Sequence, residues 1–385
     1  MSRSLPTISR RPSPLVRKRV VAANVKVAEH TFWELEVCNA CRYCEGYCAV
    51  FPALERRRTF TPADVVYLAN LCHDCRACYY ACMYAPPHEF GVNIPRALAE
   101  VREQTYAQYA LPRVVSDLAQ SNVSIFIGVT LVSVVFFGFI AAASGGGLLA
   151  SHVGPGAFYA VVPYLAMVVP ALLLSVYAVG VLLAGAFAFV HDIRTTPGDF
   201  VEWPALVAAA GEAFGLRYLR GGTAAGCYYP TERTSNSRLV LHMLVFYGFL
   251  SAFAATIAAF VLQDVFGELP PYPILSVPVI LGSAGGVAMI VGATGLLYLK
   301  WRSDRAPADE RTLKLDWVFL LSLNVVSITG MLLLLLRETP LMGALLVVHL
   351  ATVLALYVSA PYGKFAHFVY RYAALVQNRL EGHAH

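Results

Sequence analysis

Two cysteine runs decide the fold of the N-terminal part: residues 38–48 read CNACRYCEGYC, and residues 72–82 read CHDCRACYYAC. Together they hold eight of the nine cysteines, and both repeat the spacing Cys-x2-Cys-x2-Cys-x3-Cys. This spacing is typical of proteins that bind iron–sulfur clusters in pairs. Thiolate ligands need reducing surroundings to stay free of disulfides, so we expect this part to lie in the cytoplasm.

The spacing also predicts which cysteines share a cluster. A tight turn can place the first three thiols of a run around one cluster, whereas the fourth points elsewhere. In two-cluster ferredoxins that fourth cysteine ligates the other cluster. By that rule one set is Cys38, Cys41, Cys44 and Cys82, and the other is Cys72, Cys75, Cys78 and Cys48. Zinc ribbons separate CxxC pairs by a long loop, so we expect two [4Fe–4S] clusters rather than two zinc sites.

The residues around the runs predict a helical domain. The proline that follows the fourth cysteine of small bacterial ferredoxins is replaced by Ala49 and Met83. Residues 61–64, Thr-Pro-Ala-Asp, predict a helix start with a cap, a first-turn proline and an early acid. Residues 93–104 predict a further polar helix. The ninth cysteine, Cys227, is expected to be a structural free thiol.

The rest of the chain has the composition of a membrane protein. Of its 385 residues 58% are hydrophobic and 14% charged, against about 25% charged in soluble domains. Six apolar segments reach the roughly 20 residues that a membrane span needs. They are residues 123–143, 161–190, 239–262, 274–299, 317–336 and 341–361. We therefore expect an all-α chain: a helical ferredoxin-like 2[4Fe–4S] domain in residues 1–112, and a six-helix transmembrane cytochrome b-type bundle in residues 113–385.

The charges of the connections predict the orientation of the spans. Basic residues cluster on one side, where the connections and the tail carry Arg194, Arg217, Arg220, Arg233, Arg238, Lys300, Arg302, Arg305, Arg311, Lys314, Lys364, Arg371 and Arg379. The opposite loops carry only Arg337. Cytoplasmic loops of membrane proteins are enriched in Lys and Arg. We therefore expect a multi-pass protein of the inner, cytoplasmic membrane with both termini in the cytoplasm, preceded by a basic tail in residues 1–20.

Three histidines are candidates for a haem b site, which needs two axial imidazoles at matched depth on two helices. His242 lies at the cytoplasmic start of span three and His367 at the cytoplasmic exit of span six, so we expect this pair to hold one haem. A His242–His349 pair, and histidines that only hydrogen-bond neighbouring helices, are the alternatives. His349 and His367 would share one face if the last helix continued past Pro361. That pattern resembles the two-haem nitrate reductase γ-type cytochromes, but Ala252 stands where the partner helix would need a second histidine.

The chain resembles the tricarballylate/citrate-utilisation protein B family. The resemblance rests on the twin runs, the six spans, and the motifs Arg238-x3-His242-x4-Tyr247-Gly248-Phe249, Pro361-Tyr362-Gly363-Lys364-Phe365-x-His367 and Gly221-Gly222-x3-Gly226-Cys227. It implies a membrane electron-transfer protein with two [4Fe–4S] clusters and b-type haem. It also implies a partner, an FAD-containing dehydrogenase of the tricarballylate or succinate dehydrogenase type, whose reduced flavin this protein reoxidises.

These features together predict an electron-transfer subunit without substrate chemistry of its own. Electrons would pass from the flavoprotein through the clusters and haem b, one or alternatively two, to membrane quinone, with His349 as a candidate hydrogen-bond partner of that quinone. The glycine clusters follow no strand, so no flavin is expected in this chain, and no nucleic acid is expected as a partner. A tricarboxylate transporter and an iron–sulfur redox sensor are the alternatives. Transport of a tricarboxylate would need cationic or broken-helix sites at mid-membrane, and the six segments contain no Lys or Arg.

Overall fold

The computed structural model describes residues 29–118, 123–193, 202–221 and 226–383. The basic tail, Arg194 and Gly222 of the sequence analysis lie outside these residues. The described part is almost entirely helical, as expected, with one two-stranded hairpin, β1 (Cys227–Tyr228) and β2 (Thr234–Ser235).

Six short helices form the cysteine domain and its exit toward the membrane. They are α1 (Glu29–Cys41), α2 (Val50–Glu55), α3 (Pro62–Leu71), α4 (Ala77–Tyr80), α5 (Ile94–Tyr109) and α6 (Arg113–Leu118). The start of α3 is the capping box that the sequence predicts: Asp64 N–H donates to Thr61 Oγ1 at 3.2 Å, and Thr61 N–H donates to Asp64 at 2.8 Å. The predicted helix of residues 93–104 runs on to Tyr109.

Among the described residues, six helices are long and apolar enough to cross a membrane, which is consistent with the expected multi-pass membrane protein. They are α7 (Val123–Ala143), α9 (Tyr164–Ile193), α11 (Ser237–Asp264), α12 (Val277–Arg302), α13 (Glu310–Leu335) and α14 (Met342–Ser359), and the last span is continued to Tyr362 by a short 3-10 turn. The connections contain α8 (Ala157–Val161) and α10 (Trp203–Phe214), and the chain ends with α15 (His367–His383).

Several spanning helices begin at residues other than those predicted from the apolar segments. Helix α13 begins at Glu310 rather than Trp317, because Asp309 caps it by accepting from Thr312 N–H at 2.8 Å. Helix ends are set by such caps, which hydropathy does not register. The spanning helices α12 and α13 therefore include the charged residues Lys300 and Asp316, which pair with each other.

The bundle is closely packed where glycines face another helix. A Cβ atom on Gly285 of α12 would lie 2.6 Å from the carbonyl oxygen of Gly248 on α11. A Cβ atom on Gly292 would lie 2.7 Å from the carbonyl oxygen of Leu241. Small residues let membrane helices approach until their backbones touch. This contact fixes α11, and with it His242, against α12.

The last helix does not continue past Pro361. Helix α14 ends at Ser359, two 3-10 turns cover Ala360–Tyr362 and Lys364–Ala366, and α15 starts afresh at His367. Proline cannot donate the N–H that a continuing helix needs. His349 and His367 therefore do not lie on one helical face, and α15 packs on α3, α9 and α10.

Helix α15 joins the cysteine domain to the bundle. Its Tyr370 stacks on Tyr106 of α5 at 6.0 Å and meets Phe189 of α9 edge-on at 5.3 Å. At its far end Glu381 accepts from Arg57 at 2.7 Å, and Arg57 also donates to Asp64 of α3 at 2.6 Å. The side chains of all three charged residues are less than 10% exposed.

We expect Arg57→Met to destabilise the protein by about 3 kcal/mol, because it leaves the carboxylates of Asp64 and Glu381 buried without their cation. The apparent melting temperature of the detergent-solubilised protein should fall by several degrees. Arg58→Met removes the exposed arginine next in the chain and is the matched control, which should melt like the unaltered protein. Equal melting temperatures for the two variants would contradict a structural role for the Arg57 pairs.

Candidate metal centres

Both cysteine runs contain residues in the left-handed backbone conformation. Arg42, Asp74 and Arg76 have positive φ values of 55°, 52° and 64°. Each stands between two cysteines of its run, where the chain reverses direction. Side chains other than glycine rarely adopt this left-handed conformation, and clusters of such residues are typical of functional sites.

The first group of thiols lines a cavity that is open to solvent. The cysteines that line it are Cys38, Cys41, Cys44, Cys82 and also Cys78. Burial raises the pKa of Cys38 above the ordinary thiol value, and the neighbouring thiols of Cys82 and Cys44 raise it further. The structure therefore places Cys82 of the second run beside the first three cysteines of the first run.

The second group is more deeply enclosed. Burial raises the pKa of Cys48 well above the ordinary value, and Cys75 and Cys72 raise it further. Burial likewise raises the pKa of Cys78, with further contributions from Cys75, Cys72 and Cys48. Cys48 of the first run thus lies among the cysteines of the second run. These are the two sets that the crosswise rule assigns.

The eight cysteines have the chemistry of iron–sulfur ligands. All of them are free thiols. A [4Fe–4S] cluster takes one thiolate at each iron. Within the described ranges, no three His, Cys, Asp or Glu side chains converge as ligands of one metal ion. Backbone N–H groups also point at the sulfurs, from Asp74 to Cys72 at 3.4 Å and from Tyr84 to Cys82 at 3.3 Å, as metal-bound thiolates require.

His242 of α11 and His367 of α15 form a pair beneath the cysteine domain. Their ring centroids are 6.3 Å apart, and the ring planes are inclined at 83°. Two imidazoles on opposite sides of one iron need about 2 Å of bond and about 1 Å to the ring centre on each side, or about 6 Å in all. The spacing of this pair therefore fits a bis-histidine haem.

Hydrogen bonds orient the pair further. His367 Nδ1 lies 2.7 Å from the carbonyl oxygen of Lys364, to which it can donate, leaving Nε2 for a metal. Metal-bound histidines commonly donate their other ring N–H to such a carbonyl. Nδ1 of His242 is buried without a hydrogen-bond partner. Burial lowers the pKa of His367 well below the ordinary value, which favours the neutral imidazole that a metal ligand needs.

His349 lies elsewhere, on α14. Its Nδ1 is 3.1 Å from Oγ1 of Thr329 on α13, and its ring covers Gly330. The structure thus brings His242 together with His367 and places His349 between α13 and α14. Cys227 is buried and donates to the carbonyl oxygen of Leu219 at 3.1 Å, which suits the structural role expected of it.

Basic residues next to the site were missed as site residues. Arg238, Lys300, Lys364 and Arg371 were treated as charges of cytoplasmic connections, but in the structure Arg238 and Arg371 donate to the second-run loop, and the side chains of Lys300 and Lys364 are only 15% and 17% exposed. Lys300 and Lys364 both pair with Asp316, the latter at 2.8 Å. A sequence signal existed: Arg238 and Arg371 each stand four residues, about one helical turn, from a histidine of the pair.

Comparison with known proteins agrees with this architecture. A family model described as citrate utilization protein B matches residues 121–385, and a model described as the citrate utilization protein B Fer4-like domain matches residues 32–108. The chain belongs to the citrate utilization protein B family. It is 42% identical over 351 residues to citrate utilization protein B of Escherichia coli, covering 90% of each chain. No solved structure matches it significantly. Family membership, the Fer4-like domain and the clustered cysteines indicate iron–sulfur binding and a role in electron transfer.

We expect the fourth cysteine of each run to serve the opposite cluster. Cys48→Ser should therefore give the electron paramagnetic resonance spectrum of Cys75→Ser, and Cys82→Ser that of Cys41→Ser. Each variant should lose about half of the iron and acid-labile sulfide. Cys227→Ser is the control and should keep both clusters. If Cys48→Ser instead resembles Cys41→Ser, each run holds its own cluster.

Proposed function

We propose that this citrate utilization protein B family member carries electrons from a flavoprotein dehydrogenase to membrane quinone. Its intermediate carriers would be two [4Fe–4S] clusters and one haem b. The observation that carries the proposal is the alignment of the parts: both cysteine groups and the His242–His367 pair lie at the same end of the six-helix bundle. The positive-inside pattern supports placing that end at the cytoplasmic face of the inner membrane, with both termini in the cytoplasm.

The entry side of this relay has an exposed apolar surface. The cavity of the first cysteine group is bordered by Tyr43 and Met83, which are 59% and 60% exposed. Nearby, Trp33 and Phe90 are 42% and 41% exposed and contact each other edge-on at 5.5 Å. Exposed clusters of aromatic residues and methionine are typical of protein interaction sites. This surface supports docking of a partner with reduced flavin, a dehydrogenase of the tricarballylate or succinate dehydrogenase type.

The histidine pair supports the haem. A haem b bound between His242 and His367 would take up and release one electron at its iron. His367 is held in the required tautomer by the carbonyl of Lys364. The two helices that carry the pair are fixed independently, α11 by its glycine contacts with α12 and α15 by Arg57. The spacing of the two rings therefore rests on rigid elements.

A second cavity supports quinone as the acceptor. It is a shallow cavity between α7, α13 and the end of α14. Its lining is mainly apolar and aromatic, with Phe126, Phe319 and Phe365, and includes the polar groups of Ser322, Ser359 and Lys364. Small-molecule sites combine such an apolar wall with a few polar groups. Phe365 and Lys364 stand two and three residues before His367, so this cavity lies near the histidine pair.

We expect His242→Ala and His367→Ala each to abolish the b-type absorption band while leaving iron and acid-labile sulfide unchanged. Each substitution removes one axial ligand and leaves the cysteine groups intact. His349→Ala is the matched control from the same bundle and should keep the band. If His349→Ala loses the band and His367→Ala keeps it, the axial pair is His242 and His349.

The whole relay is tested by mixing the reduced protein with a soluble quinone analogue in a stopped-flow instrument. We expect both the cluster absorbance and the b-type band to return to their oxidised spectra. Reduced clusters that do not react with the quinone would indicate a redox sensor. Purified protein without acid-labile sulfide and without a b-type band would overturn the proposed function altogether.

A further inference from the structure

The two cysteine groups differ in how they meet the membrane helices. Carbonyl oxygens of the second-run loop accept hydrogen bonds from residues of the membrane part. Arg371 donates to Cys72 at 2.6 Å, Arg238 donates to Asp74, and Tyr228 N–H donates to Cys75 at 3.0 Å. The second-run loop is thus attached to α11, α15 and the hairpin before α11.

The first-run loop is organised differently. The carbonyl oxygens of Cys38, Arg42 and Cys44 accept from N–H groups of Arg42, Glu45 and Tyr47 in the same loop, at 2.9, 3.2 and 3.0 Å. Its cavity opens toward solvent beside the exposed apolar surface described above. The two groups therefore have different neighbours, a free surface for the first and the histidine pair for the second.

Arg238 and Arg371 connect the second-run loop to the histidines through single helical turns. Arg238 precedes His242 by four residues on α11, and Arg371 follows His367 by four residues on α15. Each arginine donates to the loop, while the histidine one turn away faces its partner across 6.3 Å. The second-run loop and the histidine pair are thus joined by two paths, one through each arginine. Each path consists of one hydrogen bond and one helical turn.

The layer of basic residues around the second-run loop also supports a connection between this loop and the histidine pair. Arg102, Arg238 and Arg371 donate to carbonyl oxygens of the second-run loop, and Lys364, three residues before His367, pairs with Asp316. The Nε atoms of Arg371 and Arg102 are buried and have no hydrogen-bond partner. Buried cations without anions are costly, so this layer suits negative charge on either side of it. A thiolate-bound cluster is anionic, and haem b carries two carboxylate side chains.

We propose that electrons leave the cysteine domain through the second-run cluster, and that Arg238 and Arg371 are the positioning residues of this exit. The inference rests on the proposed function. With both centres loaded, each passage would oxidise the second-run cluster by one electron and reduce the iron held by the histidine pair by one electron. The reduced flavin of the partner would supply two electrons in succession through the first-run cluster. The arginines hold the second-run loop at a fixed distance from the pair and place positive charge between the two carriers.

The test compares Arg371→Gln and Arg238→Gln with Arg379→Gln in the full-length purified protein. Arg379 is on the same helix as Arg371 but pairs with Glu212, away from the cysteine loops. After rapid chemical reduction of the clusters, the rate of appearance of the reduced b-type band should fall at least tenfold in the first two variants. It should be unchanged in Arg379→Gln. The midpoint potential of the haem should also shift negative in the first two, because a nearby positive charge that favours the reduced form is lost.

Conservative variants separate positioning from general damage. Arg371→Lys keeps the charge and a donor, so it should restore the potential and at least part of the rate. If Arg371→Gln does not accumulate in membranes, Arg238→Gln decides, since its contact with Asp74 is independent. Loss of the b-type band from either glutamine variant, with clusters retained and the lysine variant normal, also supports the proposal.

Two results would overturn this inference while the proposed function stands. One is a wild-type rate and potential in both glutamine variants. The other is normal haem reduction in Cys75→Ser protein that has lost the second-run cluster but keeps the first. A wild-type protein without any b-type band would instead refute the proposed function itself.

Discussion

The buried contact of Arg57 with Glu381 determines where the last helix lies, and the site depends on that position. Arg57 belongs to the segment between the two cysteine runs, and Glu381 is near the end of the chain. Their ion pair, together with Asp64, holds α15 across the cysteine domain. The opposite end of α15 then presents His367 to His242 and Arg371 to the second-run loop. A single helix thereby carries contacts to both kinds of candidate centre.

Local patterns in the sequence were sufficient for much of the fold. The cysteine spacing, the capping box at Thr61 and the six apolar segments each depend on neighbouring residues, and the structure shows the expected all-α architecture. The depth argument for His242 and His367 also needed little more than the order of the spans. The structure places these two rings together because both stand at the same end of the bundle.

The remaining features depend on contacts between distant parts of the chain. The charges of Arg238 and Arg371 suggested surface connections, because a sequence does not show that a basic residue will find backbone carbonyls in another domain. The break before α15 depends on Pro361 and on the packing of α15 against α3 and α10. A hydropathy profile does not show this break. Helix α13 begins earlier than its apolar stretch for a similar reason, since Asp309 supplies a cap.

Because α15 is attached to the cysteine domain through its C-terminal end, these contacts can form only after most of the protein has been synthesised. A ribosome makes the cysteine runs first and α15 last, so the early cysteine domain emerges without Tyr370, Arg371 and Glu381, which later cover one of its faces. Until α15 has been made, that face of the cysteine domain lacks its cover, and the cysteines beneath it are more accessible than in the finished protein.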